Sequence, residues 1–203
     1  VTSIPFLTLY TYSASERDMG NCTSREQFFT HFEHLIPEWL RVTMPGRICA
    51  VHVQNITTTK VKHGVIGVYD FRGDVIRSFV KHDWIFHGEV VVQKNPQVAA
   101  IRTRAKGLAF QQKNKDSSWS SPCLGDYILL FRAPGENLMP VKTIASNDDW
   151  VIWAHNVWYD IKQTNTLNAR IAREEKDEAH LAPLQLDLIE RAILLWSNPG
   201  EII

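Results

Sequence analysis

The chain has 203 residues, enough for one sizeable α/β domain with an excursion. Its 44% hydrophobic and 10% aromatic content excludes disordered and fibrous classes, and 22 basic against 22 acidic residues means that any affinity for nucleic acid must be local. Cys22, Cys49 and Cys123 form no C-x-x-C pair, so neither zinc nor a disulfide framework is indicated, a reducing cytoplasm fits, and no apolar run nears the ~18 residues of a membrane span.

In chain order, Val1–Phe6 reads as a strand end entering a loop over residues 7–22. Phe28, Phe32, Leu35, Ile36 and Leu40 recur at helical spacing, predicting one helix over 25–42 capped by Thr23 or Ser24, with Pro37 as a kink. Arg47–Gln54 reads as a strand buried on both faces, as in a parallel sheet. Residues 55–67 read as a loop, Phe71 to about 81 as a helix, Trp84–Gln93 as a strand and Tyr127–Phe131 as a short apolar strand. Residues 94–122 are polar. A turn-rich stretch follows 133, with a polar helix near 167–178 and an amphipathic helix from Leu184 closed by Asn198-Pro199-Gly200. Glu201-Ile202-Ile203 reads as the start of a buried strand. With no initiator Met and a core strand barely begun, truncation at both ends is expected. Alternating helices and buried strands predict an α/β fold with a mainly parallel sheet.

Ser3-Ile4-Pro5-Phe6 places a polar acceptor, an elbow and an aromatic at a strand's C-terminal end, where open α/β sheets bind ligands. Alone it would be a strand leading into a Pro turn. At the far end stand His180-Leu181-Ala182-Pro183-Leu184-Gln185-Leu186-Asp187-Leu188-Ile189-Glu190-Arg191 and Ser197-Asn198-Pro199-Gly200-Glu201-Ile202-Ile203. Together they resemble the H-P-x-Q-x-P-x-x-L-x-E-R and S-x-P-G-D segments of amino-methylating DNA methyltransferases of the permuted order, in which the catalytic motif precedes the cofactor motif. Gly125–Arg132 and Leu40–Val53 resemble that family's "E-ILLF-K" strand and "L+pGG.l.i" helix-to-strand step. The loop LYTYSASERDMGN and the later WYDI…TNTLNA resemble a phage and prophage branch.

That resemblance implies a Rossmann-like methyltransferase sheet with helices on both faces, incomplete, plus a DNA-recognition excursion. It implies a cytoplasmic restriction-modification or phage enzyme moving methyl from S-adenosylmethionine to an exocyclic amine of a flipped base in double-stranded DNA. Its parts would be a catalytic half over 1–93, a basic loop over 94–122, a core strand over 123–132, a target-recognition insertion over 133–179, and a helix and strand over 180–203. Ser3, Ile4, Pro5 and Phe6 would be the family's [DNS]-P-P-[YFW] motif. Ser3 Oγ and the Ile4 carbonyl would accept the amine N–H bonds and Phe6 would stack on the base. His180 and Gln185 would lie at the cofactor. No metal or covalent intermediate is required.

Departures matter too. Ile4 replaces the family's first proline, keeping the carbonyl but loosening the elbow, and the Gly-rich D-P-F-x-G-x-G loop expected after Ile203 is missing, so this piece is expected to bind the cofactor poorly. Serine at the first position tilts the target toward cytosine N4 over adenine N6. A basic stretch from Lys94 through Arg102, Arg104, Lys106, Lys113 and Lys115 meets no acid until Asp116 and is the candidate for tracking phosphates. Asn165 and Asn168 could read adenine edges. The histidines show no metal spacing, Trp150, Trp153 and Trp158 read as packing residues, and no Ser/His/Asp arrangement is recognisable. A non-catalytic DNA-binding remnant is the main alternative; a methyltransferase for RNA or a small amine is another.

Overall fold

The computed structural model describes residues 1–103, 110–167 and 183–203. In chain order these hold β1 (Thr2–Ser3), α1 (Arg25–Phe32), α2 (Leu35–Val42), β2 (Ile48–Gln54), β3 (Ile56–Thr58), α3 (Lys60–His63), β4 (Gly67–Tyr69) and α4 (Phe71–Lys81). Then follow β5 (Ile85–Val92), α5 (Pro96–Thr103), α6 (Phe110–Lys113), β6 (Asp126–Arg132), α7 (Asn147–Trp153), β7 (Val157–Trp158) and α8 (Leu186–Trp196).

Five strands form one sheet in the order β1-β2-β6-β5-β7. β1 is parallel to β2 and β5 to β7, while β6 is antiparallel to both β2 and β5. Four strands therefore share one direction and β6 alone runs against them, in line with the mainly parallel sheet expected. Alternate residues of β6 build two cores because successive side chains point to opposite faces. Leu129 and Phe131 join Phe28, Phe32, Ile36, Val75 and Phe79, from α1, α2 and α4, on one face. Ile128 and Leu130 join Trp158, Ile161 and Leu188, the last from α8, on the other. Helices cover both faces, so β2 and β6 are apolar on both sides, the double burial that their sequences carried.

Two expectations need correction. The helix over 25–42 breaks at Glu33–His34 into α1 and α2. Pro37 has no N–H for the Glu33 carbonyl and its ring would clash there; as third residue of α2 it sits in a first turn, where a donor is not needed. Ser24 caps α1, its Oγ accepting the Gln27 N–H at 3.1 Å. The "loop" at 55–67 is a β-hairpin: β3 and β4 pair antiparallel with α3 at their tip. Residues 133–167 also contain α7 and β7, which were not anticipated, whereas most of the helix expected near 167–178 falls outside the described residues. Glu201–Ile203 pairs with no described strand, and Ile202 is fully exposed. Among the described residues, no helix is long and apolar enough to cross a membrane.

Candidate active site

The strands that share a direction end along one edge, where β2 finishes at Gln54, β5 at Val92, and β6 begins at Asp126 opposite both. β1 pairs Ser3 with His52 on this edge. The next residues form the elbow. Pro5 restricts the backbone, Leu7 takes φ +51°, and the Leu9 N–H returns to the Phe6 carbonyl at 3.1 Å. A leucine in the left-handed region is strained, and such strain is held where the surroundings fix it. Here Ile4, 5% exposed, is sunk into the core and ties the turn down. With isoleucine here, the elbow is held by buried side-chain anchorage rather than by a second proline ring.

A chain of hydrogen bonds runs inward from Ser3. Its Oγ lies 2.9 Å from His52 Nδ1, and His52 Nε2 lies 2.9 Å from Asp126 Oδ2. Lys94 Nζ pairs with the same carboxyl oxygen. His52 and Asp126 are buried. Burial alone would raise the Asp126 carboxyl, but the hydrogen bond from His52 and the nearby Lys94 charge outweigh it and hold it below its ordinary value. An ionised carboxylate only accepts, so His52 Nε2 is the donor to Asp126; with that proton placed, Nδ1 is left to accept from the Ser3 hydroxyl. The Ser3 proton is thereby engaged, and its oxygen faces outward as an acceptor. Phe6 lies against the His52 ring, centroids 5.5 Å apart, and edge-on to Phe71 at 6.3 Å.

These groups line a cavity of about 410 Å³, within the range of small-molecule sites. Ser3, Ile4, Phe6, His52, Lys94 and Asp126 form one wall; Tyr10 and Tyr12 come from the loop after the elbow; Gln163, Thr164, Thr166, Pro183, Leu184 and Gln185 close the other side. The tyrosine loop is pinned by Asp18, whose Oδ2 accepts the N–H groups of Tyr12 and Ser13 at 2.7 Å each and whose Oδ1 accepts that of Gly20 at 2.8 Å. Gly20 is required by close approach, since a Cβ there would lie 2.2 Å from the Tyr10 carbonyl oxygen. Opposite, Thr166 bridges to Gln185 and the Leu186 N–H reaches the Asn165 carbonyl at 2.8 Å. Gln185 is 6% exposed, yet its Oε1 has no hydrogen-bond partner among the described residues. A buried orphan acceptor on a cavity wall fits a ligand donor that completes it.

The sequence-predicted residues fare differently. Ser3, Ile4, Phe6 and Gln185 come together around one cavity although Ser3 and Gln185 stand at opposite ends of the chain. Lys94 is not a free phosphate-tracking cation but turns inward to Asp126. Arg102 lies on α5, Lys113 and Lys115 are exposed, and Arg104, Lys106 and His180 lie outside the described residues. Asn165 is exposed and donates through its side-chain amide to Asp187; Asn168 lies outside the described residues. The Ser3–His52–Asp126 alignment, unrecognised in the sequence, is present. Its signal was there to find: His52 interrupts the apolar run ICAVHV, and Asp126 precedes YILLF. Trp158 is buried as expected, whereas Trp150 is 52% exposed. No group of three metal-ligating side chains occurs among the described residues.

Comparison with solved structures finds the same architecture in TTHA0409 of Thermus thermophilus, an inferred DNA modification methylase. Its S-adenosyl-L-methionine complex matches with a TM-score of 0.68 and 18% identity over 99% of this chain and 67% of that one. A selenomethionine form (TM-score 0.62, 18% identity, 87% of this chain and 61% of that one) and a further structure (0.62, 17%, 96% and 64%) agree. At these identities the likeness is one of fold, and this chain spans about two thirds of that protein's length. Comparison with curated proteins finds no match. The sequence itself matches the N6/N4 methyltransferase family, described as DNA methylase, from residue 1 to 203, and the chain belongs to that DNA methylase family.

Proposed function

We propose that the cavity at Ser3–Phe6 is the base-amine site of an S-adenosylmethionine-dependent methyltransferase acting on double-stranded DNA, with cytosine N4 as the favoured target. The observation that carries the reading is the hydrogen-bonded line Ser3–His52–Asp126 ending in an exposed acceptor. An exocyclic base amine is a poor nucleophile because its lone pair is delocalised into the ring. Ser3 Oγ and the Ile4 carbonyl accept its two N–H bonds and turn the lone pair out of the ring plane. Phe6 stacks on the base once it has left the helix. As the nitrogen gains a methyl group its remaining protons become acidic. One passes to Ser3 Oγ while the Ser3 proton passes to His52 Nδ1, and the Asp126 carboxylate stabilises the imidazolium until it releases that proton to water.

S-adenosylmethionine, when bound, supplies the electrophilic methyl group. The residues present fit it: Gln185 Oε1 is a buried acceptor in want of a donor, and Tyr10 and Tyr12 bring aromatic surface to the same cavity. His180 is the further cofactor residue that the family resemblance implies. Arg102, Arg104, Lys106, Lys113 and Lys115, which follow β5 at the active edge, would neutralise phosphates of the bound duplex. The serine hydroxyl, in place of the aspartate that adenine N6 enzymes favour, supports cytosine N4.

Mass spectrometry of nucleosides from duplex DNA incubated with the full-length protein and S-adenosylmethionine tests the reading. N4-methylcytosine is expected. N6-methyladenine would overturn the target base alone, and DNA binding with neither product would favour a non-catalytic DNA-binding protein.

A further inference from the structure

The hairpin β3–α3–β4 leaves the sheet at the same edge as the active site. It begins at Ile56, two residues beyond Gln54, which lines the cavity. Its base is fixed: Ile56 and Tyr69 pair across it and pack into the core, and Asn55 Oδ1 accepts the Arg72 N–H at 3.0 Å. Its tip is not packed. Val61 is 98% exposed, Val65 63% and Ile66 67%. A soluble surface rarely groups such side chains without a use for them.

Charge indicates the occupant. Residues 56–69 contain Lys60, Lys62 and His63 and no acidic residue. Lys60 and Lys62 flank Val61 and make no ion pair with any described residue, whereas Lys94 and Lys81 are both taken up by carboxylates. The tip conformation is specified: Thr59 Oγ1 accepts the Lys62 N–H at 3.3 Å, His63 Nδ1 accepts the Thr59 N–H at 2.9 Å, and Gly64 at φ +74° makes the reversal that a side chain would strain. An ordered tip of two cations unpaired among the described residues, set around an apolar residue on a hairpin that begins two residues past the cavity-lining Gln54, matches a polyanion with stacked apolar steps. Apolar wedges between cationic phosphate contacts are how several DNA-bending proteins open a base step.

We propose that this hairpin is a DNA-contacting arm. Lys60 and Lys62 bind backbone phosphates beside the target nucleotide, and Val61, with Ile66, enters the groove there and supports the step from which the base is withdrawn. The proposal rests on the DNA-methyltransferase reading and adds a surface distinct from the basic residues after β5.

The test uses the full-length protein with a duplex carrying 2-aminopurine next to the target base. For the Lys60→Ala/Lys62→Ala variant, duplex binding should weaken equally on every sequence, and the slope of log K against log salt should shrink by about 1.8, roughly 0.9 for each lost phosphate contact. Val61→Ser should keep the wild-type salt slope but give a smaller rise in 2-aminopurine fluorescence. The tip is solvent-exposed, so both variants should melt with the wild type. Wild-type slope and fluorescence in both variants, with methylation intact, would overturn the arm and leave the enzyme reading standing. A changed oligomeric state for Val61→Ser with unaltered duplex binding would assign the tip to a second copy of the chain instead. If the wild type binds no duplex at all, the function and the arm fall together.

Discussion

The sheet carries a network of charge at each end, and the two are built differently. At the end where β2 begins, Arg47 forms a two-pronged pair with Glu201, its Nη1 donating to Oε1 at 2.9 Å, and gives another bond to the Met139 carbonyl at 3.0 Å. Asn198 completes Glu201 with its backbone N–H at 2.8 Å and its amide at 2.9 Å, and accepts the Lys142 N–H at 2.9 Å. Each of these bonds closes on another protein group. At the other end, Lys94, Asp126, His52 and Ser3 make an equally connected line, but it terminates on an exposed hydroxyl at a cavity, and across that cavity Gln185 holds an acceptor with no partner. Polar networks that only hold a fold are saturated. One that stops at a void has kept its last bond for something else.

The largest effect should come from opening the line at its working end. Ser3→Ala in the full-length protein removes the amine acceptor and the proton's first stop, and methyl transfer should fall by at least about a hundredfold, the lower range for a general acid–base group. DNA affinity should hold. His52→Ala should cost a similar factor, and the double variant little more than either alone, because groups acting as one unit are not additive. Multiplying losses in single-turnover kinetics would separate the two residues and dissolve the line. Asp126→Asn should slow transfer as well, since the amide oxygen still accepts from His52 but the imidazolium loses its countercharge.

Phe6→Ala comes next. If the ring is the stacking platform, its removal should cost the ~1–3 kcal/mol measured for base–aromatic stacking elsewhere, seen chiefly in the transfer step. A wild-type rate would place the base somewhere other than over Phe6.

Gln185→Leu sharpens the contrast because stability and function should move in opposite directions. In the free protein the buried Oε1 is unsatisfied, so an apolar residue of similar size should leave the melting temperature equal or higher. Binding of S-adenosylmethionine should weaken by roughly the 0.5–1.5 kcal/mol of one hydrogen bond. A variant that melts lower and binds as well would make Gln185 a structural residue.

How far the sequence revealed this contrast depends on range. The elements were legible where periodicity is strong, as in α4, β2 and β6. The alternation of apolar residues fixes their faces locally. The hairpin was not, because Thr-rich, Gly-rich segments resemble loops until a partner strand supplies the ladder. The elbow residues were legible only through their order relative to motifs some 180 residues away. Local chemistry could not have chosen Ser3-Ile4-Pro5-Phe6 alone. His52 and Asp126 stand 74 residues apart, and only the antiparallel register of β2 and β6 brings them to one edge. Lys94 was read with the basic run that it opens, and a run along the chain does not say that its first cation faces Asp126.

The smallest effect belongs to the closed end and follows from pH. Arg47, and with it the Asn198 bonds, holds the Glu201 carboxyl down to about 2 from an ordinary value of 4.5. A carboxyl depressed by folding stabilises the folded state fully above its ordinary value and loses that contribution as pH falls toward the folded one. Glu201→Gln keeps the shape but cannot ionise. The wild type should therefore melt above the variant by a constant margin from neutrality to about pH 5, and the margin should shrink as pH falls from there toward about 2. Asp126, also depressed, contributes to acid lability in both proteins and cancels from their difference. Melting curves of the pair against pH decide the matter. A margin unchanged on acidification would mean that Glu201 is held by packing rather than by charge. The closed network would then owe its stability to shape, and saturation of charge would no longer distinguish the two ends of the sheet.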